Sequence, residues 1–202
     1  MDGKITPRII LASTSPRRKE LLSFLRLPFD VMPSHADEST PESWTPQQIV
    51  ETLAVRKAEV VVSIASQSEE DGLVIGSDTI VVLDGLVLGK PVDHADAVRM
   101  LTALQGRTHR VFTGVACIYT ATGKTLVSHR QTEVTMKPLS HEQIVAYVNT
   151  GEPSDKAGAY GIQGLGATLV ESIQGCYFNV VGLPLSLLSD MLSEFGVSVL
   201  QP

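Results

Sequence analysis

One carboxylate stands alone inside an apolar run of strand length. Leu73 to Leu83 reads LVIGSDTIVVL, with aliphatic residues on both alternating faces and Asp78 the single ionisable group. A strand apolar on both faces is expected to be buried. A buried carboxylate has to be paired, bound to a metal or protonated. Two readings stand side by side: Asp78 as a site carboxylate, or as a capped, solvated Asp at a sheet bulge near Gly76. Thr79 adds a hydroxyl on the opposite face. A second conflict is Lys57. At 100° per residue, Ile49, Val50, Leu53, Val60, Val61 and Ile64 share one helical face, and Lys57 falls between Leu53 and Val61. A lysine at the centre of such a stripe must snorkel out or meet an anion. The third conflict is at Arg17 and Arg18, which follow Ser13-Thr14-Ser15-Pro16. Ser15 is a good helix N-cap and Pro16 a good first helical residue. Two arginines in that first turn have the wrong sign for the helix dipole. A bound anion resolves the conflict, because free backbone N–H groups, hydroxyls and guanidinium forks suit phosphate. The plain alternative is a pair of solvated surface arginines.

Further polar candidates lie in loops. Asp37 and Glu38 sit in a polar stretch from Pro33 to Trp44, and taken alone Glu38 reads as surface. Lys90 closes the unit GLVLGKP. Glycines at 158, 161, 164 and 166 with Pro153 break the stretch from Glu152 to Gly166, so it is expected to be a loop that brings backbone close to something. Its polar handles are Asp155, Lys156 and Gln163. An amide such as Gln163 offers both a donor and an acceptor, as reading a base edge requires; otherwise it is a turn residue. His35, His94, His109, His129 and His141 form no ligand pair and read as structural or surface groups. Cys117 and Cys176 have neither metal spacing nor a disulfide framework.

The elements that must position these groups alternate between strand and helix. Strands are expected at Arg8–Ala12 and Phe29–Met32. A helix opens with the capping box Thr45-Pro46-Gln47-Gln48 and runs to about Ile64. The central hairpin turns at Asp84-Gly85. A helix capped by Asp93 runs through Leu104, with Gly106 past its end. Strands are expected at Thr108–Tyr119 and Leu126–Met136, and a capping box at Ser140–Gln143 opens another helix ending near Gly151. A last hairpin is expected from Ala167–Ile173 and Tyr177–Val181, then a terminal helix over Leu185–Phe195. Ser66–Asp71 reads as a polar surface loop. The pattern predicts an α/β fold in one domain over 1–202. Of the 202 residues 43% are apolar, enough for a sizeable core. The net charge of 16 − 22 = −6 argues against a nucleic-acid or anionic-membrane partner. The N-terminus, with Asp2 before Lys4, lacks a signal-peptide pattern, and no run reaches transmembrane length. A reduced, cytoplasmic setting is expected.

Five motifs, STSPRRKELL at 13–22, RKA at 56–58, GSDT at 76–79, LGKP at 88–91 and DKAGAYGIQG at 155–164, occur in an order and spacing that resembles the Maf-like nucleotide pyrophosphatases. The resemblance covers nearly the whole chain. It implies an elongated, two-lobed fold with a long central mixed sheet flanked by helices around a nucleotide cleft, similar to the inosine triphosphate pyrophosphatases. It implies hydrolysis of a nucleoside triphosphate to monophosphate and pyrophosphate with a divalent cation, Mg²⁺ or Mn²⁺, in a homodimer. Carried over residue by residue, Asp78 becomes the general base. Ser13, Arg17 and Arg18 become the phosphate grip, and Glu38, Lys57 and Lys90 the remaining charged positions. Glu38 and Asp78 would be the metal ligands. Arg17, Thr79 and Gln163 match the subfamily acting on dTTP and UTP rather than the sister subfamily acting on 7-methylated GTP.

The same residues make sense as chemistry. Four cations suit a triphosphate, and two carboxylates can give a divalent cation its oxygen ligands. Which carboxylate binds metal and which takes a proton stays open at this stage. The alternatives are a pyrophosphatase for a methylated or deaminated nucleotide, and a non-catalytic nucleotide-binding regulator of septum formation.

Overall fold

The computed structural model describes residues 7–65 and 71–200. Asp2, Lys4 and residues 66–70 of the polar loop lie outside the described residues. Strands β1 (Arg8–Ala12), β2 (Phe29–Met32), β3 (Gly72–Leu83), β4 (Leu86–Leu88), β5 (Thr108–Tyr119), β6 (Thr125–Met136) and β7 (Val170–Gln174) form a seven-stranded sheet in the order β2-β1-β3-β5-β6-β7, with β4 on β3. The sheet is mixed. β1 is parallel to both its neighbours, while β3–β4 and β6–β7 are antiparallel. Helices α1 (Pro16–Ser23), α2 (Pro46–Ala65), α3 (His94–Leu104), α4 (His141–Val148), α5 (Tyr177–Val181) and α6 (Leu185–Ser193) complete the α/β fold. None of these helices is long and apolar enough to cross a membrane.

The chain folds as two compact units. The first holds the residues up to Asp78, Thr113–Arg130 and those from Gly182 on. The second holds Thr79–Phe112 and Gln131–Val181.

In the first unit, α2 lies on the sheet along a ridge of small side chains. A Cβ placed on Gly76 would come within 2.1 Å of the Ala54 carbonyl oxygen, and one on Gly114 within 2.2 Å of the Val50 carbonyl oxygen. Val50, Ala54 and Ala58 are four residues apart, so they form one ridge of the helix. The apolar face is therefore centred further round than its large residues suggest. Ile49, Val50, Leu53, Ala54, Ala58, Val61 and Ala65 are buried, whereas Ile64 is 48% exposed and Val60 half-buried. Alanine on glycine allows an approach that isoleucine would block. The Thr45 capping box forms as expected: its N–H donates to Gln48 Oε1 at 2.9 Å, and the Gln48 N–H to its hydroxyl at 3.3 Å.

The second unit has its own core, built from Val81, Leu83, Met100, Leu101, Leu104, Val134, Met136 and Tyr160 among others. His109 belongs to it. Its Nε2 shares a 2.7 Å hydrogen bond with the Tyr160 hydroxyl, and burial pushes its pKa down to about 4. It is a neutral core residue, as the scatter of histidines suggests. Asp84 and Gly85 turn the β3–β4 hairpin with φ of 51° and 82°, the signs a type I′ turn needs.

One expected element is absent. Val170–Gln174 is a strand, but its partner is β6, in the register Glu133↔Gln174 and Val134↔Ile173. Tyr177–Val181 forms a single helical turn instead of a returning strand. Asn179 explains the difference. Its buried Nδ2 donates to the Val111 carbonyl and to Thr132 Oγ1, each at 3.0 Å. Thr132 also accepts the Cys176 N–H at 3.0 Å. The segment coils so that its one polar residue meets these partners. Helix α1 stops at Ser23 and is followed by Arg26 at φ 54°.

The close approach of α2 to the sheet yields a prediction independent of any chemistry. Gly114→Ala should lower the unfolding free energy by about 1–3 kcal/mol or more, the usual cost of overpacking, because the methyl group meets backbone rather than a movable side chain. Urea unfolding with an unchanged midpoint would contradict this packing.

Candidate active site

The β1–α1 turn is built by its own hydroxyls. Ser13, 6% exposed, follows β1 and accepts the Ser15 N–H at 3.1 Å. Ser15 caps α1 by accepting the Arg18 N–H at 3.4 Å. The first turn contains no acidic residue, so its N–H groups and the half-buried Arg17 and Arg18 add charge of the same sign. Arg18 is held from behind. Its Nε donates to the Gly182 carbonyl at 2.9 Å, and the buried Ser77 hydroxyl donates to the same oxygen at 3.1 Å. Burial pulls the Arg18 pKa below the ordinary guanidinium value, and Arg17 adds to this. The Asp78 and Glu38 carboxylates act on it in the opposite sense.

Asp78 is buried on β3, two residues after the glycine that admits α2. Its Oδ1 is 2.6 Å from Lys57 Nζ, and Glu38 Oε1 is 2.8 Å from the same nitrogen. The side chains of Lys57 and Asp78 are 12% and 10% exposed, against 58% for Glu38. Both sequence conflicts are thus resolved against each other. The lysine on the apolar stripe meets an anion, and the carboxylate in the apolar strand meets a cation. Asp78 is paired inside the fold, so the reading of a solvated bulge residue does not hold. The unit gathers two carboxylates and the cations Lys57, Arg17 and Arg18. Glu38, which alone reads as surface, is drawn into this group.

Arg56 has a role that its place at the stripe edge does not reveal. Its Nη1 donates to the carbonyls of Asp37 at 3.2 Å and Ser39 at 2.7 Å, on either side of Glu38. Its guanidinium lies 5.8 Å from the Trp44 ring centroid, within cation–π range. The Asp37 carboxylate is held below the usual range, chiefly by the Ser39 N–H and also by the Ser39 hydroxyl. Adjacent residues of α2 therefore hold the acidic loop twice, Arg56 by its backbone and Lys57 by the Glu38 carboxylate. A second element missed from sequence is the Gly182 carbonyl, which a residue pattern does not register.

The other expected site residues belong to the second unit. Thr79 follows Asp78 on β3 and is half-buried. Lys90 is exposed after β4. Gln163 is half-buried in extended backbone, at φ −110° and ψ 169°, just before a 3₁₀ turn over Gly164–Leu169. The stretch around it is not featureless, since 3₁₀ turns also form at Glu152–Asp155 and Ala157–Ala159.

The profile of the Maf-like protein family matches residues 8–195. The chain belongs to the Maf-like family. It is 54% identical to the dTTP/UTP pyrophosphatase of Desulforamulus reducens, over 95% of this chain and 98% of that one. It is 51% identical to the dTTP/UTP pyrophosphatase of Pelotomaculum thermopropionicum, again over 95% of this chain and 98% of the relative. The solved structure of the Staphylococcus aureus Ham1 protein aligns with 81% of this chain and 79% of its own at 15% identity, with a TM-score of 0.49. In this Maf-like chain all five motifs that carry the resemblance fall within the matched residues.

The ion pair gives this site a stability signature. An apolar stripe alone suggests that Lys57→Met would be neutral or stabilising, but the pairing reverses that expectation. Removing one partner of a buried pair typically costs about 3–5 kcal/mol. With Arg18 still acting on Asp78, Lys57→Met is predicted at the low end, roughly 3 kcal/mol. Adding Asp78→Asn should recover most of the loss. A double-mutant cycle by denaturant unfolding measures the coupling, and additive effects would contradict the pair.

Proposed function

We propose that this chain is a nucleoside triphosphate pyrophosphatase that converts dTTP and UTP to the monophosphate and pyrophosphate, with Asp78 as general base. One arrangement carries the reading. Two carboxylates, Asp78 and Glu38, turn to a single ammonium beside the Ser13–Arg18 turn. That relatives about half identical to this chain are dTTP/UTP pyrophosphatases supports the substrate class.

A triphosphate is held by several cations at once. Arg17, Arg18, Lys57 and Lys90 fill that role, with Ser13 and the N–H groups of the α1 turn as further donors. Phosphate oxygens compete with Asp78 for the Lys57 ammonium. Substrate binding thereby frees Asp78 Oδ1 to accept a proton from the attacking water. The water oxygen bonds to the α-phosphorus, the bond to the bridging oxygen breaks, and the pyrophosphate departs with its charge held by the same cations. Gln163 reads the base edge, while Arg17 and Thr79 serve the phosphate and sugar side.

The donor set fits a hard divalent cation. Asp78 and Glu38, which both reach the Lys57 ammonium, would be its oxygen ligands, since Mg²⁺ commonly takes one or two carboxylates plus substrate phosphates and waters. Among the described residues no group of three or more His, Cys, Asp or Glu side chains converges, so these two carboxylates would share the ion with phosphate and water. Bound there, Mg²⁺ or Mn²⁺ would neutralise phosphate charge and acidify a coordinated water.

The test is pyrophosphate release from a panel of ordinary and modified triphosphates with Mg²⁺ or Mn²⁺. UTP and dTTP should be preferred over CTP and purine triphosphates. Asp78→Asn should lose roughly 10²–10⁴-fold in rate, the usual contribution of general-base catalysis, while remaining folded by circular dichroism. Near-normal turnover in that variant would rule out Asp78 as the base, and equal hydrolysis of GTP would rule out the substrate assignment.

A further inference from the structure

The glycine-rich loop is wound around one carboxylate, that of Glu152. Glu152 Oε1 accepts the Gly166 N–H at 2.9 Å and the Tyr147 hydroxyl at 2.9 Å, and Oε2 accepts the Leu165 N–H at 3.0 Å. Lys156 Nζ donates to the Glu152 carbonyl at 2.5 Å and lies 2.7 Å from Asp155 Oδ1. The Gly161 N–H donates to the Tyr147 hydroxyl at 3.2 Å. The glycines are where side chains would obstruct this winding. A Cβ on Gly164, at φ 63°, would lie 2.8 Å from Glu152 Oε2. One on Gly166 would lie 2.1 Å from the Gly161 carbonyl oxygen and 2.6 Å from the Tyr147 hydroxyl.

These bonds bracket Gln163. Two residues before it, the Gly161 amide rests on Tyr147. Two and three residues after it, the Leu165 and Gly166 amides rest on Glu152. Tyr147 and Glu152 are bonded to each other. Burial raises the Glu152 pKa, but the bonds from Gly166, Tyr147 and Leu165 outweigh it, so the carboxyl lies below its usual range and is ionised at neutral pH. An ionised carboxylate, acceptor at both oxygens, suits these three donors.

We propose that Glu152, relayed through Tyr147, is a positioning residue that sets Gln163 for discrimination between pyrimidine bases bearing a 4-carbonyl and those bearing a 4-amino group. The inference rests on the reading of Gln163 given under the proposed function. A base reader must be held to a fraction of an ångström to reward one donor–acceptor pattern and leave the other unpaired. Gln163 sits on a loop, and Glu152 with Tyr147 ties that loop on both sides of it.

The test compares kcat/KM for UTP and CTP in wild type and in Glu152→Gln. The glutamine keeps the size but has one acceptor oxygen, and its NH₂ group would face an N–H donor. The UTP:CTP ratio should fall at least about tenfold, with kcat on UTP changed much less. Tyr147→Phe should lower the ratio by a smaller factor, and it carries the test if Glu152→Gln fails to fold. In a Gln163→Ala background, Glu152→Gln should change the ratio no further. If wild type prefers UTP but Glu152→Gln keeps the ratio, the proposal is overturned and Glu152 is only scaffold. An undiminished effect in the Gln163→Ala background would equally overturn it. If wild type shows no preference for UTP, the reading of Gln163 fails, and this proposal with it.

Discussion

The first unit depends on how closely α2 can approach the sheet. Gly76 and Gly114 leave room for the backbone of Val50 and Ala54 where any Cβ would collide. That approach sets the rotation of the helix as well as its distance. With Ala54 and Ala58 against the sheet, Lys57 faces Asp78, which lies two residues beyond Gly76 on the same strand. The two are then close enough for a 2.6 Å ion pair in a largely buried setting. Burial penalises each charge alone and makes the pairing of both more compelling. Glu38 and the loop around it follow, because Lys57 holds its carboxylate and Arg56 its flanking carbonyls. A packing constraint between backbones thus becomes an electrostatic arrangement.

The second unit solves a different problem in a related way. Its glycine-rich loop also closes on a charged group, but there the carboxylate of Glu152 is satisfied by backbone amides and a tyrosine hydroxyl rather than by a cation. An anion that accepts several N–H bonds organises irregular backbone as a strand partner organises a strand.

Much of this was legible in the sequence because it appeared there as conflict. A lysine in an apolar stripe, a carboxylate in an apolar strand and arginines at a helix N-terminus each violate a local rule, and such violations concentrate at functional sites. Strands β1 and β2, the four helix caps at Ser15, Thr45, Asp93 and Ser140, and the Asp84-Gly85 turn were readable from local chemistry. What was not legible depends on long-range partners. Large aliphatic residues such as Ile64 mark the helical face less well than the alanines that meet glycine across space. Arg56 looks like an ordinary edge residue until the loop it holds is in place. Tyr177–Val181 has strand composition, and only the pairing of Asn179 with Val111 and Thr132 coils it. The backbone carbonyl of Gly182, which fixes Arg18, has no side-chain signature at all.

If Asp78 activates water beside a phosphate grip at the α1 turn, the bond that forms is to the α-phosphorus. Hydrolysis of UTP in ¹⁸O-labelled water, followed by mass spectrometry of both products, tests this most directly. The proposed reaction predicts the label in the nucleoside monophosphate and none in the pyrophosphate. Label in pyrophosphate, or release of orthophosphate with UDP, would contradict it.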